Sequence, residues 1–249
     1  MLRAFVAKVL FFGLVVHAGS LNAVEKDTAH FASINYLIEQ EVGLILIPKI
    51  YQSVGIDVQI SPLPAKRAQK LASRGVVDGE IMRIFSYGDE TPTTIRVPTP
   101  YYYLETCAFT KKSAEIELPT VSALRNYRLA KVRGVKHTNN ITKGMPNVID
   151  EDNTSQAMKL LAAGLADAVL TNRLDGEVII EELGMKSKIE LNHCFTKLDL
   201  FNYIHLRKAS LVPIINAAIL DLKRSGKLQQ WITEAEQQVV KKRLAETTD

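Results

Sequence analysis

Arginines near the ends of predicted strands are the side chains with the clearest chemistry in this sequence. Arg83 follows one strand-like run, and Arg133 ends another and precedes Gly134. Arg67 lies in the first turn of a predicted helix, where a positive charge opposes the helix dipole. Ligands in open α/β sheets bind at the carboxyl ends of strands, and an arginine fork binds a carboxylate through two hydrogen bonds. These four residues therefore predict a site for a small anionic or carboxylate-bearing solute; the alternative is that the arginines are surface or ion-paired groups.

Aromatic side chains could form a wall of the same site. Tyr36 and three consecutive tyrosines, Tyr101, Tyr102 and Tyr103, are the candidates. Adjacent residues of a strand point to opposite faces, so the three consecutive rings cannot all face one ligand. We expect Tyr102 to contact the solute and the other tyrosines to pack in the core or the hinge.

Alternating strands and helices must position these residues. The alternation predicts the α/β class, with largely parallel sheets in two groups of about 80 residues each. The extended segments 101–110 and 199–207 flank the second group and are predicted crossovers between the groups. The predicted strands are 31–34, 57–60, 76–82, 101–110, 129–132, 148–150, 168–170, 189–195 and 201–206, and the predicted helices are 38–54 (with a kink or break at Pro48), 64–75, 154–163, 174–183, 213–223 and 228–243.

Four stretches in this order resemble the bacterial extracellular solute-binding protein family 3. They are P-A-K-R-A at 64–68 leading to G-V-V-D-G at 75–79, T-P-Y-Y at 99–102, the helix and G-L-A-D-A-V of 157–169, and the closing helix pair around 216–228. The resemblance implies the two-lobed type II periplasmic binding protein fold, each lobe a mainly parallel sheet flanked by helices. It implies lobe one from 24–106 and 200–249, lobe two from 107–199, and closure about the two crossovers.

The sequence departs from the amino-acid binders of that family at two places. Those proteins usually carry T-x-x-R before the tyrosine segment, to hold the solute α-carboxylate, whereas 87–95 contains no arginine. They usually place an aspartate after D-A-V to hold the α-ammonium group, whereas this chain has Asn172 there and Asp175 further along, in the next helix. We expect Asn172 to contact the solute, and a standard α-amino acid is less expected than the resemblance alone implies.

The first residues have the three parts of a secretory signal peptide. Arg3 and Lys8 precede the short apolar run 9–16, small residues follow, and Ala23 ends a plausible cleavage site. The run is shorter than the roughly 20 residues that a spanning helix needs. Cleavage after Ala23 leaves 226 residues and lowers the formal charge from +4 to +2. We therefore expect a soluble periplasmic protein without nucleic-acid partners, and the average composition excludes collagen-like, disordered and disulfide-scaffold classes.

Two cysteines, Cys107 and Cys194, would meet an oxidising compartment after export. They allow a single pairing, so the sequence leaves two alternatives: one disulfide, or two buried free thiols. A bridge would enclose a long loop and stabilise the fold by roughly 2–4 kcal/mol.

These observations predict an exported, monomeric solute-binding protein that delivers a small polar solute to the membrane permease of an ABC importer. No cofactor is expected, and the spacing of His137, His193 and His205 fits no standard zinc pattern. One alternative is a sensory protein that signals to a membrane receptor. Another is a periplasmic enzyme on the same fold that resembles cyclohexadienyl dehydratase, for which Glu80 and Glu105 are the nearest candidates for a general acid.

Overall fold

The computed structural model describes residues 28–246. The predicted signal peptide, 1–23, lies outside the described residues. Within 28–246, no helix combines the length and the apolar composition that crossing a membrane requires.

The first part of the chain forms parallel strands connected by helices. β1 pairs in parallel with both β2 and β3, because α1 and α2 carry the chain back between the strands. Pro48 was predicted to kink or break the first helix, but α1 continues through it and buries Leu46, Ile47 and Ile50 on both sides of the proline. The elements are β1 (Thr28–Ile34), α1 (Ile38–Gln52), β2 (Asp57–Leu63), α2 (Ala65–Ser73), β3 (Gly79–Ile84), α3 (Tyr87–Glu90) and β4 (Thr94–Arg96).

The second part repeats this arrangement after a long strand and then returns. β6 pairs in parallel with β7 and β8. The short helix α4 was not predicted, and the two predicted strands 189–195 and 201–206 are one continuous strand, β9. The elements are β5 (Tyr102–Lys111), β6 (Leu129–Val132), α4 (Lys136–Ile141), β7 (Val148–Glu151), α5 (Thr154–Ala163), β8 (Ala168–Asn172), α6 (Arg173–Glu182), β9 (Ile189–His205), α7 (Leu211–Arg224) and α8 (Lys227–Glu246).

Two long strands join the two parallel groups into one curled sheet. The strand order is β2-β1-β3-β9-β5-β8-β6-β7, with β4 beside β9. β5 pairs antiparallel with β9 along its whole length and with β8 from Thr106 to Thr110, whereas β9 reaches β3 and β4 from Leu200 onward. We call β1–β4, α1–α3, α7, α8 and 200–205 lobe one, and β6–β8, α4–α6 and 189–196 lobe two. The predicted domain boundaries fall inside β5 and β9 and stay a prediction.

Each lobe has its own apolar core. In lobe one, α1, α7 and α8 pack around Ile47, Ile50 and Ile215. In lobe two, α5 and α6 pack on one face of the sheet around Phe109 and Met158. Val178 of α6 also joins the lobe-one core, so α6 packs against lobe one.

A disulfide joins the two crossover strands. Cys107 of β5 and Cys194 of β9 face each other in register, with their Cα atoms 4.0 Å apart. Of the two alternatives that the sequence leaves open, the structure therefore contains the bridge. It ties the strands together on the lobe-two side of the crossover.

Candidate functional site

The carboxyl ends of the parallel strands of both lobes face each other. Ile34, Leu37 and Ala65 of lobe one pack against Val132 and Val135 of lobe two and form a small apolar contact. The lobes therefore touch in this structure, and polar groups beside this contact are shielded from water.

A group of polar side chains is buried beside that contact, and we call it the cleft cluster. Lobe one contributes three members, from the start of α1 and from β3; lobe two contributes the others, from α4, the end of β8 and the start of α6. None of its members is more than 4% exposed. The members are Glu39, Glu80, Arg83, His137, Asn172 and Asp175.

Arg83 is the central positive charge of the cleft cluster. Its Nη1 lies 3.2 Å from Glu80 Oε1, and its guanidinium stacks 4.5 Å from the ring centre of Tyr87. The Tyr87 hydroxyl donates to Glu80 Oε2 at 2.7 Å. Within residues 28–246, Arg83 Nε has no hydrogen-bond partner. Burial raises the pKa of Glu80, and the charge of Arg83 opposes that rise.

An irregularity in β3 places Glu80 and Arg83 together. Residues three apart in a regular strand point to opposite faces. The pairing with β9 shifts between these two residues, and Met82 there has a φ of 53°. The extra residue of such a bulge turns the following side chain back to the same side. The strained backbone at Met82 therefore places Glu80 and Arg83 on the same side of β3.

Glu39 and Asp175 bring two carboxyl groups together across the cleft. Asn172 Nδ2 donates to Glu39 Oε2 at 3.3 Å, which links lobe two to the start of α1. Burial and, secondarily, the charge of the neighbouring Asp175 raise the pKa of Glu39 to about 8. Glu39 is therefore protonated at neutral pH in this closed arrangement.

Asp175 has a full set of protein donors. Its Oδ1 accepts from the backbone N–H of Ile38, 3.2 Å away in lobe one, and its Oδ2 accepts from Thr171 Oγ1 at 2.6 Å and from Thr154 Oγ1. Burial raises the pKa of Asp175, and these hydrogen bonds oppose the rise. The residue thus holds the first turn of α1 against lobe two.

His137 is oriented by two threonines of the crossover strands. Thr196 Oγ1 donates to Thr106 Oγ1 at 2.9 Å, and Thr106 Oγ1 lies 3.0 Å from His137 Nδ1. Thr106 Oγ1 can donate to Nδ1 or accept from it, and in either case the contact fixes the orientation of the ring. Burial and, secondarily, the charge of Arg83 lower the pKa of His137 to about 3, so the ring is neutral.

A cavity of about 400 Å³ opens between the lobes next to the apolar contact. Arg133 and Asp152 of lobe two and Lys66 of lobe one are among its lining residues. Further along the same edge, Lys136 forms an ion pair with Glu90 across the lobes.

The sequence-predicted residues are distributed between the cleft cluster and its surroundings. Arg83 and Asn172 belong to the cluster. Gly134 lies at the contact between the lobes, where an added Cβ would approach the Ala65 Cβ to 3.1 Å. Arg133 lines the cavity and pairs with Asp152 at 3.1 Å.

One predicted residue lies away from the cleft cluster. Arg67 is exposed and has no ion pair to any residue in 28–246. Tyr102 is buried, its hydroxyl donates to Glu236 of α8 at 2.5 Å, and it lines a cavity together with Asn172 of the cleft cluster. Contact of Tyr102 with the solute stays a prediction.

Sequence reasoning missed three members of the cluster as ligand-side groups: Glu39, His137 and Asp175. Glu39 is an acid in the first turn of a helix that begins directly after a strand, a position that faces the carboxyl edge of the sheet and could have been noticed. Of the two enzyme candidates, Glu80 is in the cluster, whereas Glu105 is partly exposed and lies 3.7 Å from Arg173. Among residues 28–246, no group of three or more His, Cys, Asp or Glu side chains could hold a metal ion.

Comparison with known proteins identifies structures that have the same architecture. No family model matches the chain. An uncharacterized protein of Shewanella oneidensis is 25% identical over 182 residues, covering 70% of this chain and 67% of that protein. A histidine kinase sensor domain with similarity to periplasmic binding proteins superposes with a TM-score of 0.71 at 17% identity, covering 84% of this chain and 96% of that chain. An amino acid ABC transporter substrate-binding protein from Streptococcus pneumoniae, bound to L-arginine, superposes with a TM-score of 0.67 at 14% identity, covering 86% and 96%.

These likenesses show the fold. The chain has the α/β fold of type II periplasmic binding proteins, as the sequence motifs predicted. The cleft cluster lies at the carboxyl ends of the parallel strands, where ligands bind in open α/β sheets.

Proposed function

We propose that this protein is an exported solute-binding protein that captures a small, polar, carboxylate-bearing solute between its lobes for an ABC importer. The observation that supports the proposal most is Arg83: a buried guanidinium between the lobes, with an Nε that lacks a partner within 28–246. A buried N–H without an acceptor is costly, so a solute oxygen at this position is favoured.

The donors beside Arg83 suit a carboxylate. An arginine fork holds two carboxylate oxygens through two parallel N–H groups, and Nε is one of the groups available for such a pair. His137 is neutral, so its ring offers one N–H donor and one acceptor nitrogen without adding charge. The solute carboxylate would thus replace part of the contact that Arg83 makes with Glu80.

The same cluster suits a positive group on the solute. Glu39 and Asp175 are two adjacent buried carboxyl groups, and Asp175 already has its donors from the protein. Glu39 has the weaker set, with Asn172 Nδ2 at 3.3 Å. An ammonium group near Glu39 would favour its ionised form, because an opposite charge lowers the pKa of a carboxyl. The proposed solute is therefore a zwitterion with an amine and a carboxylate.

Closure of the lobes would complete the site. Contacts between the lobes are already present at Ile38–Asp175, Glu39–Asn172 and Lys136–Glu90. A shift from mostly open to mostly closed needs roughly 5 kcal/mol of preference for the closed form. Charge-assisted hydrogen bonds to Arg83 supply roughly 1.5–3 kcal/mol each, so a bidentate carboxylate provides much of that preference.

A second candidate function is sensing, in which the closed form is read by a membrane receptor and not by a permease. The similarity to a histidine kinase sensor domain, with a TM-score of 0.71, favours keeping this candidate. Both functions use the same cleft and the same solute chemistry. Growth of a deletion strain on the solute as sole nitrogen source separates them, because loss of transport abolishes growth whereas loss of sensing changes gene expression.

Isothermal titration calorimetry against a panel of amino acids and related zwitterions tests solute binding. Arg83→Met is expected to lower the affinity for the best solute at least tenfold, and the exposed Arg67→Met serves as the matched control with unchanged affinity. Because Arg83→Met leaves Glu80 buried without its partner, the double variant Glu80→Gln/Arg83→Met provides a charge-balanced form that is expected to fold and still bind poorly. Equal affinities in the wild type and both Arg83 variants would contradict the proposed site.

A further inference from the structure

A second pocket lies on lobe one outside the cleft, between the first half of α1 and the second half of α8. Its volume is about 410 Å³. Leu44 and Ile45 of α1, Pro62 of β2 and Val239 of α8 form its apolar walls, and Tyr36 lies at its edge. This volume is within the range of cavities that bind small organic molecules. We call it the α1–α8 pocket.

Ser33 lies on the other face of the sheet from the interlobe apolar contact. Ser33 and Ile34 are neighbours on β1, so their side chains point to opposite faces. Ile34 packs against Val132 in the contact between the lobes. The α1–α8 pocket and the cavity between the lobes share Ile34, Asn35 and Tyr36, so they adjoin at the end of β1. Ser33 lines only the α1–α8 pocket of these two, and it distinguishes a molecule bound there from the solute in the cleft.

Ser33 gives this apolar pocket one unpaired polar group. The residue is 1% exposed, and its Oγ has no hydrogen-bond partner within 28–246. The neighbouring Gln40 cannot supply one, because its Oε1 accepts from the Ile34 N–H at 3.0 Å and its Nε2 donates to the Met82 carbonyl at 3.2 Å. Buried hydroxyls are almost always paired, so the pocket lacks a hydrogen-bonding group at this position.

The charged residues at the mouth already have partners. Glu41 lies 3.0 Å from Arg243 of α8, and Lys242 lies 3.8 Å from Glu246. A charged ligand would have to compete with these pairs, whereas an uncharged ligand leaves them in place. The walls favour an apolar body, and Ser33 favours a hydroxyl at the inner end.

We propose that the α1–α8 pocket binds a small, uncharged aromatic alcohol or phenol, with its ring against Leu44, Ile45 and Val239 and its hydroxyl paired with Ser33 Oγ. A hydroxyl is the matching group because it donates and accepts, as the serine hydroxyl does. The ring fits walls made of branched aliphatic side chains and a proline.

Ligand-observed fluorine NMR with 4-fluorophenol and 4-fluorotoluene tests the proposal on the mature, oxidised protein. The two probes have the same ring and differ in a hydroxyl against a methyl group. The wild type is expected to bind 4-fluorophenol at least fivefold more tightly than 4-fluorotoluene. Ser33→Ala is expected to remove that difference, because it deletes the hydroxyl and little else.

Two further variants localise the binding. Leu44→Trp fills the pocket and is expected to abolish binding of both probes, whereas Leu220→Trp, at an exposed position of α7, is expected to leave binding unchanged. Equal affinity for the two probes in the wild type would overturn the proposal. An unchanged preference in Ser33→Ala, or unchanged binding in Leu44→Trp, would overturn it as well.

Discussion

Replacement of Glu39 by glutamine is expected to stabilise the contact between the lobes in the absence of solute. The glutamine side chain keeps the shape of Glu39 and its carbonyl can still accept from Asn172 Nδ2. It removes the carboxyl group that must be protonated when it is buried beside Asp175. The variant therefore isolates the free energy of burying this one acid.

The magnitude follows from the pKa of Glu39. Its ordinary value is 4.5, and burial together with the charge of Asp175 raises it to about 8 where the lobes are in contact. When the lobes are open the side chain is hydrated, and pH 7 is about 2.5 units above its ordinary pKa. Protonating the carboxylate so that it can be buried therefore costs about 3 kcal/mol. Because the pKa is raised in the closed arrangement, closure is favoured at low pH and loses this contribution as the pH rises from about 4.5 to about 8. In Glu39→Gln the cost is absent, so the ratio of closed to open molecules at pH 7 is expected to rise more than roughly a hundredfold.

Pulsed electron spin resonance between spin labels at positions 70 and 143, one on each lobe, measures this ratio. The wild type is expected to shift toward longer distances by about tenfold in population between pH 7 and pH 9. This window lies above the ordinary pKa of histidine, so His137 does not contribute. Glu39→Gln is expected to remain mostly at the short distance throughout, and the exposed Glu234→Gln is the control that behaves as the wild type.

The reasoning is refuted if Glu39→Gln opens the lobes at pH 7, or if its distance distribution equals that of the wild type at every pH. Either result would mean that Glu39 is ionised in the closed arrangement and that another positive group balances it. The same variant should bind the zwitterionic solute more weakly, although it closes more readily, because it lacks the negative charge for the solute amine.

Three other predictions concern the frame around the cleft. Gly79→Ala should lower the free energy of unfolding, measured in urea melts, by more than about 2 kcal/mol, because the added Cβ would lie 1.9 Å from the Tyr203 carbonyl oxygen. The control is Gly55→Ala, whose Cβ would meet nothing within 4 Å. It should lower the free energy of unfolding by about 1 kcal/mol because of its positive φ. Replacing Cys107 and Cys194 together by serine should lower the free energy of unfolding by about 2–4 kcal/mol. An equal loss when reductant is added to the wild type would show that the effect comes from the disulfide. Lys136→Gln should weaken solute binding two- to fivefold by calorimetry, because it removes the half-exposed ion pair with Glu90 between the lobes. An unchanged affinity would mean that this ion pair does not contribute to closure of the lobes.

The order of the elements could be predicted from the sequence because local signals determine them. Helix 154–163 and strand 129–132 agree with the structure residue for residue, and the ends of the helix are fixed by the Asn153 cap and by Gly164. Of the two alternatives at Pro48, a break is excluded because α1 continues through it, where packing in lobe one outweighs the hydrogen bond that proline removes. Helix α4 has six residues and no strong apolar period, so the pattern gave no sign of it.

The candidate site could be predicted only in part, because it depends on which residues the fold brings together. Arg83 was found because it was expected to follow a strand, although it lies within β3, and Asn172 was found from the family position after D-A-V. Glu39 and Asp175 are 136 positions apart in the chain, and their meeting across the cleft has no local signature. Arg67 lies on the exposed face of its helix, a placement that the local sequence does not reveal. Tyr102 lines a cavity beside Asn172, but its hydroxyl bond to Glu236 of α8 also depends on distant parts of the chain.

Native mass spectrometry of the mature protein, purified without unfolding, tests the central claim most directly. The account predicts one small molecule per chain that contains both an amine and a carboxylate, retained by the wild type and by Arg67→Met. It predicts that Glu80→Gln/Arg83→Met, purified in the same way, carries no such molecule. A wild-type protein that retains no small molecule even after incubation with the panel of zwitterions, or equal retention by the Arg83 double variant, would contradict a solute site built around Arg83.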